Sequence, residues 1–422
     1  MHRQNGWVFT DATFIRNSFT RKSMGFKLRA KIIFGYSMPQ IAEPSAQEHA
    51  QRMKTYLREG KERAIRLGNR GPIQFDETGV LRDDILEAYW RQGFYVFENV
   101  IQAEELNELQ AGIAGMLDRA PIERGAELDA KGRPAFGQEF ARDTYTWIPP
   151  LSDPVGGTTR NGGRHPSKMV EPVPPIDAPK EIIYMMFGMC QAMDSGLRLY
   201  GHPQLLAIAE SINGLDFTPF NDAIFLKQPG LGGSVAWHQD GLTHWDSPNW
   251  DEGIHGFNFQ VQLYPSTPGN CLWVVPGTHK EGRVDIRAMV DENEGSECLP
   301  NALPLFCRPG DVTVVNRQTL HCSFANTSPD ERVSLTFGFH RRSSVLGAAG
   351  VLGSGEGDVY DERRIHERSS VIAVAIDARH QHFPKEKPYR YQPFVGLEDE
   401  FRWNEHTRET VIKDYNTQDL GI

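Results

Sequence analysis

The sequence contains no long apolar run and few cysteines. No stretch approaches the roughly 18 consecutive apolar residues that a membrane-spanning helix needs, so we expect no membrane association. Five cysteines occur among the 422 residues, and none of them forms a CxxC pair. This usage argues against a disulfide scaffold or a zinc ribbon. It is typical of a reducing compartment, which predicts a cytoplasmic protein.

Basic residues are too few for a nucleic-acid-binding surface. The formal net charge is -10, which argues against nucleic acid as a partner. The exception is residues 1–37, which carry seven Lys/Arg and a single acid, Asp11. A basic, acid-poor start is typical of organellar transit peptides. Because the segment has no clear amphipathic period, we favour an N-terminal extension, partly disordered, and leave targeting as the alternative.

The chain contains enough apolar residues, 39%, for a sizeable core, and its patterning changes along its length. Periodicity of 3.6 predicts helices at residues 45–67, 83–92, about 103–119, 181–213 and about 361–380. Short apolar or alternating runs bounded by turn signals predict strands at 94–97, 223–227, 257–264, 271–275, 311–315 and 333–339. The long segment 121–180 is rich in Gly, Pro and charge, and loops of this length are often functional. We therefore predict a mainly β sandwich or barrel with helical additions, and a loop that covers an active site.

The strongest chemical signal is His238-Gln239-Asp240, followed 83 residues later by His321. Side chains at positions i and i+2 of a strand point to the same face, so His238 and Asp240 can direct donor atoms at one point. A third ligand from a neighbouring strand would complete a facial triad of two imidazoles and one carboxylate, as in non-haem Fe(II) oxygenases. The HxD tripeptide alone is a weak signal, and the distant histidine in a β-rich segment strengthens it.

An arginine downstream of His321 is a candidate for binding a cosubstrate. Arg332 lies eleven residues after His321, and Ser334 shares its strand face. A guanidinium binds a carboxylate through two parallel hydrogen bonds, and a neighbouring hydroxyl can add a third. This pair is a candidate binding site for the distal carboxylate of 2-oxoglutarate.

Several stretches together resemble the phytanoyl-CoA dioxygenase family. They are ILEAYWRQGFYVFENVIQAEELNEL near the start, then FLKQPG, WHQDG, GNCLWVVPGTHK, RPGD and LHCSFANTSPDER. The resemblance implies a double-stranded β-helix (jelly roll) with helices outside. It implies Fe(II) as the metal, 2-oxoglutarate and O₂ as cosubstrates, and these site residues: His238, Asp240 and His321 as metal ligands, and Arg332, Ser323 and Gln260 around the cosubstrate, where the strand geometry also places Ser334. Lys227 either extends to solvent or points into the pocket, and the resemblance favours the pocket. Gln260 stands where several relatives have an aromatic residue, so its role is open.

The resemblance also implies a function and a division of the chain. We expect residues 1–70 to form the N-terminal extension, 71–345 the oxygenase domain including loop 121–180, and 346–422 a C-terminal helical or irregular extension packed on the core. The expected reaction is hydroxylation of a C–H bond, with succinate and CO₂ as coproducts. Desaturation or cyclisation by the same oxidant, a metal-dependent cupin without cosubstrate and an inactive jelly-roll binding protein are alternatives. Halogenation is disfavoured because Asp240 is present where halogenases of this fold have a small residue.

The substrate is not specified by the sequence beyond a small molecule. Cationic side chains cluster in the long loop, namely Arg160, Arg164, His165 and Lys168. They are either a solvated surface or a lid that selects an anionic substrate, and we expect at least one of the cations to point into the pocket. Trp245 and Trp250 could wall the pocket or pack in a core. His244 could be a fourth metal ligand, but we favour a histidine on the substrate side or facing solvent. We expect a structural hydrogen bond at His279 and a packing role for Cys322.

Overall fold

A computed structural model describes residues 46–140, 142–245, 256–351, 358–413 and 415. Its helices are α1 (Ala46–Leu67), α2 (Asp83–Gln92), α3 (Ala103–Asp118), α4 (Met189–Ala192), α5 (Asp194–Tyr200), α6 (Pro203–Asn213), α7 (Ile286–Glu292), α8 (Arg342–Val345), α9 (Glu362–His382) and α10 (Glu405–Thr407). Its strands are β1 (Arg70–Gly71), β2 (Phe94–Phe97), β3 (Tyr145–Ile148), β4 (Ile182–Met186), β5 (Thr218–Lys227), β6 (Val235–His238), β7 (Phe257–Gln262), β8 (Trp273–Val274), β9 (Leu303–Pro304), β10 (Val312–Asn316), β11 (His321–Ser323) and β12 (Arg332–His340).

The strands form two sheets, as the predicted jelly roll requires. The larger sheet has the order β1-β2-β10-β7-β12-β5-β4-β3, and the smaller has the order β6-β11-β8-β9. Neighbouring strands are antiparallel except for β1 and β2. The prediction of a mainly β core with helices outside is confirmed.

Alternation along β7 and β12 separates the two faces of the larger sheet. Phe257, Phe259 and Val261 of β7 lie in the same apolar core as Leu335 and Phe337 of β12, together with residues of helices α3, α5, α6 and α9. That face packs on the helices; Tyr200 of α5, for example, stacks on Phe337 with ring centres 4.9 Å apart. The side chains between these positions face the interior of the jelly roll, where they are buried or partly buried and largely polar.

The outer face of the smaller sheet is covered by α1. Tyr56 of α1 stacks on Trp273 of β8 with 4.6 Å between ring centres, and its hydroxyl donates to the carbonyl of Leu299 at 2.8 Å. Helix α1 thus lies within the predicted extension of residues 1–70 but belongs to the same compact unit as the sheets, Pro44–Ile422. The segment boundaries at residues 70 and 345 stay predictions, and residues 1–45 lie outside the described residues.

The structure corrects the interpretation of two segments. The predicted helical pattern over 181–213 is wrong at its start, because Ile182–Met186 is strand β4 and pairs with β5. Five apolar residues in succession fit a doubly buried strand as well as a helix, so periodicity cannot separate the two. Segment 121–180 is mostly loop, but it contributes edge strand β3.

No helix in the described part of the chain combines the length and apolar character that crossing a bilayer requires.

Candidate metal and cosubstrate site

Three side chains of the smaller sheet and the turn after it converge on one point. His238 ends β6, Asp240 follows it, and His321 of β11 pairs directly with His238 across the sheet. One ligand atom from each of the three residues lies within 4.8 Å of the other two. The His238 Nε2–Asp240 Oδ1 distance is 3.7 Å, and the His321 Nε2–Asp240 Oδ2 distance is 3.9 Å. The structure therefore brings together the residues that the sequence pattern selected.

Both imidazoles are held in the orientation that a metal needs. The Nδ1 atom of His238 lies 2.8 Å from the carbonyl oxygen of Ala236, and that of His321 lies 2.8 Å from the carbonyl oxygen of Thr319. A carbonyl can only accept, so each Nδ1 carries the proton and each Nε2 presents a lone pair towards the partner residues. Burial lowers the pKa of both imidazoles, which favours the neutral, metal-binding form.

Asp240 is ionised because cations surround it. Burial opposes its charge, but the guanidinium groups of Arg164 and Arg317 counter that effect, and the pKa of Asp240 is lowered to about 2. Arg164 Nη1 lies 2.6 Å from Asp240 Oδ1, and the Asn258 amide donates to Oδ2 at 3.2 Å. An ionised carboxylate beside two neutral imidazoles is the donor set expected for a divalent iron.

Arg332 lies in the interior, as its predicted role requires. It is 2% exposed and faces inward from β12. Nη2 donates to the Gln260 amide oxygen at 2.9 Å, and Nη1 donates to the Asn270 carbonyl at 3.4 Å. Gln260, whose role the sequence left open, thus orients this guanidinium.

The interior around Arg332 contains buried polar atoms without partners. Within the described residues these atoms include Arg332 Nε, Ser334 Oγ, Gln262 Oε1, Thr336 Oγ1, Thr313 Oγ1 and Ser234 Oγ. Leaving such groups unsatisfied costs about 1–3 kcal/mol each, so a cluster of them indicates a place that a polar molecule fills. A dicarboxylate such as 2-oxoglutarate fits the donors among these atoms, which are Arg332 Nε and the serine and threonine hydroxyls.

The two remaining cosubstrate candidates lie in the same interior. Ser323 is buried on β11, two residues beyond His321. Lys227 of β5 is opposite Arg332, and its Nζ donates to the carbonyls of Gly233 and Phe324. These bonds connect β5 with the segment before β6 and the segment after β11, and burial lowers the Lys227 pKa well below its usual value. A cosubstrate contact by either residue stays a prediction.

The long loop lies against the metal ligands. The His165 ring lies beside the His238 ring, with ring centres 4.2 Å apart and the planes tilted by 35°, and its Nδ1 lies 3.1 Å from the Ala236 carbonyl oxygen. Arg164, which contacts Asp240, is the loop cation that points into the site. Arg160 and Lys168 are exposed, and Lys168 pairs with Glu171 at 3.2 Å.

The other candidates take structural positions. His279 Nε2 lies 2.9 Å from the Trp90 carbonyl oxygen, as predicted, and His244 Nε2 lies 2.7 Å from the Ser344 carbonyl oxygen. Cys322 is buried in the apolar cluster of Trp237 and Trp273, away from the metal-facing side of β11. Trp250 lies outside the described residues.

Sequence reasoning missed Asn258 and Arg317. Asn258 belongs to the polar face of the alternating strand at 257–264, which could have marked it as an interior residue. Arg317 Nε lies 3.9 Å from Asp240 Oδ2 and Nη1 lies 3.0 Å from His340 Nε2, yet nothing in its neighbourhood distinguishes it from an exposed arginine.

Residues 89–334, more than half of the chain, match the family described as Phytanoyl-CoA dioxygenase (PhyH). The chain belongs to this family. Among curated relatives of the family, phytanoyl-CoA dioxygenase 1 of Oryza sativa subsp. japonica is 34% identical over 117 residues, which are 26% of this chain and 40% of that protein. Phytanoyl-CoA dioxygenase domain-containing protein 1 of Rattus norvegicus is 27% identical over 176 residues, 38% of this chain and 57% of that protein.

This member of the family is therefore aligned over about half the length of the curated relatives it matches. Among solved structures, EctD from S. alaskensis with 2-oxoglutarate and 5-hydroxyectoine is 18% identical with a TM-score of 0.43. That match covers 65% of this chain and 80% of EctD.

Proposed function

We propose that the protein is an Fe(II)- and 2-oxoglutarate-dependent dioxygenase that hydroxylates a C–H bond of a small organic substrate and releases succinate and CO₂. The observation that carries the proposal is the pairing of His238 with His321 beside Asp240. Each Nδ1 is committed to a backbone carbonyl, so both Nε2 lone pairs and the carboxylate are directed at one point. Family membership supports the same reaction class.

The protein's part in this reaction is to bind, orient and exclude water. His238, Asp240 and His321 would hold Fe(II), which when bound would supply activation of O₂ coupled to the oxidative decarboxylation of 2-oxoglutarate. The guanidinium of Arg332, kept in place by Gln260, would bind the distal carboxylate, with the partnerless hydroxyl of Ser334 as a further donor. His165 and Arg164 cover the ligands from the loop side and limit water around them.

Two alternatives are distinguished by simple outcomes. An inactive binding protein would keep the fold but lose the triad or the arginine, and all four residues are present. Desaturation or cyclisation would use the same site and also yield succinate, so only the product made from the substrate separates them from hydroxylation.

The test is succinate formation by the purified protein with Fe(II), 2-oxoglutarate and ascorbate in air. We expect slow succinate release without added substrate, and none from His238→Ala, which lacks one metal ligand. Absence of succinate from a wild-type protein shown to contain iron would contradict the proposal.

A further inference from the structure

A surface groove lies directly beside the metal site. Its volume is about 320 Å³, at the lower end of the range for small-molecule sites. Six of the residues that line it matter here: Arg164, Gln239, Trp245, Arg283, Asp285 and Arg287. The long loop contributes one wall, and the turn that leads into helix α7 contributes the other.

The groove is connected to Asp240 through three of its lining residues. Arg164 Nη1 contacts the Asp240 carboxylate at 2.6 Å, and the Trp245 indole donates to the Asp240 backbone carbonyl at 3.2 Å. Gln239 precedes Asp240 in the chain. Its side-chain amide donates to the carbonyls of Gly282 and Gln318, which holds this lining residue in place. A molecule in the groove is therefore one side chain away from a metal ligand.

The groove carries more positive than negative charge. It has three guanidinium groups and one carboxylate, and that carboxylate, Asp285, accepts from the Ala288 amide at the start of α7. Arg164 is committed to Asp240, whereas neither Arg283 nor Arg287 forms a salt bridge within the described part of the chain. Arg287 Nε donates to the Pro166 carbonyl at 3.1 Å. Arg283 and Arg287 thus form a rim of guanidinium groups that are not paired with a carboxylate within the described part of the chain.

One of these cations is combined with an aromatic surface. The guanidinium carbon of Arg283 lies 4.2 Å from the centre of the Trp245 ring. The stack holds Arg283 in a defined position while its N–H groups remain able to donate in the plane of the guanidinium. An indole face beside an oriented guanidinium suits a ligand that has both an apolar skeleton and an anionic group.

We propose that this groove binds the anionic group of the substrate, a carboxylate or a phosphate, through Arg283 and Arg287, and that Trp245 contacts the adjoining apolar skeleton. This assignment rests on the proposed function, because it places the rest of the substrate against Arg164 and Asp240 at the metal. It also gives the cationic side chains separate roles. Arg164 positions a metal ligand, and the two rim arginines determine specificity.

The experiment is calorimetric titration of the full-length protein with three small aromatic probes. Phenyl phosphate and benzoate carry the two candidate anions, and benzyl alcohol is the neutral control. The variants are Arg283→Gln, Arg287→Gln and the double variant. Arg402→Gln is the matched control, since Arg402 is a half-exposed arginine whose neighbours are Asp377 and Asp399 of the C-terminal region.

We expect at least one anionic probe to bind. We expect its affinity to fall by about tenfold in the double variant, as loss of a charge-assisted hydrogen bond predicts, and to stay unchanged in Arg402→Gln. Preference for phenyl phosphate or for benzoate identifies the anion. Equal affinity for benzyl alcohol, unchanged affinity in the double variant, or failure of both anions to bind would overturn the assignment.

Succinate formation by the wild-type protein separates the two proposals. If succinate forms but the double variant binds the anions normally, the groove assignment is wrong and the proposed function stands. If the rim arginines bind the anion and no succinate forms, the groove is an anion site and the proposed reaction is wrong.

Discussion

At the scale of single residues, the buried guanidinium of Arg332 has fewer acceptors than it has donors. Its two acceptors are the Gln260 side chain and the Asn270 carbonyl, and Nε has none. A buried cation in this state gains most from a ligand that brings a carboxylate, because charge-assisted pairs are stronger than neutral hydrogen bonds. This is the physical basis for assigning the cosubstrate to Arg332.

Replacement of Arg332 should therefore affect the cosubstrate more than the metal. We expect Arg332→Ala to raise the 2-oxoglutarate concentration for half-maximal succinate formation by roughly 10- to 100-fold, the loss of about 1.5–3 kcal/mol. Arg332→Lys should rescue only in part, since an ammonium cannot form the two-pronged contact. Unchanged cosubstrate dependence in Arg332→Ala would mean that another residue binds the carboxylate.

Asn258 should contribute to metal affinity without touching the metal. Its amide donates to Asp240 Oδ2 at 3.2 Å, and outer partners of this kind typically change affinity by roughly 10- to 100-fold. We expect Asn258→Ala to weaken Mn(II) binding by about tenfold in calorimetric titration, with a normal unfolding transition as the folding control. Equal Mn(II) affinity in the variant would show that the hydrogen bond is incidental.

At the scale of secondary-structure elements, the strands around the metal could be predicted and the loop contacts could not. Strand β7 alternates apolar and polar residues, so its two faces could be assigned from the sequence alone. The contact between Arg164 and Asp240 joins residues 76 positions apart through a segment without periodicity. The composition and length of this segment predicted a lid with a cation, but only tertiary packing decided that Arg164 contacts Asp240 while Arg160 and Lys168 remain exposed.

Helix α9 is attached to α3 by a buried ion pair. Arg379 forms two hydrogen bonds to Glu105, at 2.6 and 3.1 Å, and both side chains are less than a tenth exposed. We expect Arg379→Met to lower the free energy of unfolding by about 3–5 kcal/mol in urea, because Glu105 is left buried without its cation.

The exposed pair Arg363–Glu367 on the same helix is the control for that measurement. Arg363→Ala should lower the free energy of unfolding by about 0.5 kcal/mol or less, as surface pairs do. Similar decreases in the free energy of unfolding from the two substitutions would contradict the claim that the buried Arg379–Glu105 pair holds α9 on α3.

At the scale of the whole molecule, the described structure includes α1 but not the basic start of the chain. Tyr56 and Arg63 of α1 bond to the carbonyls of Leu299 and Ala302. A chain that begins at Met38 keeps these contacts, so it should fold and keep its activity. A chain that begins at Gly71 loses them and exposes Trp273, so it should show a lower melting temperature. Equal melting temperatures for the two chains would show that α1 is dispensable.

The central claim is that His238, Asp240 and His321 bind Fe(II) and that Arg332 adds 2-oxoglutarate to the same site. Its most direct test is anaerobic titration of the protein with Fe(II) and 2-oxoglutarate, followed by visible absorption. We predict that a cosubstrate-dependent absorption band appears at one Fe(II) per chain, disappears in His238→Ala, Asp240→Ala and His321→Ala, and requires more 2-oxoglutarate in Arg332→Ala. A wild-type protein that shows no such band at saturating Fe(II), or an undiminished band in any of the three ligand variants, would contradict the assignment.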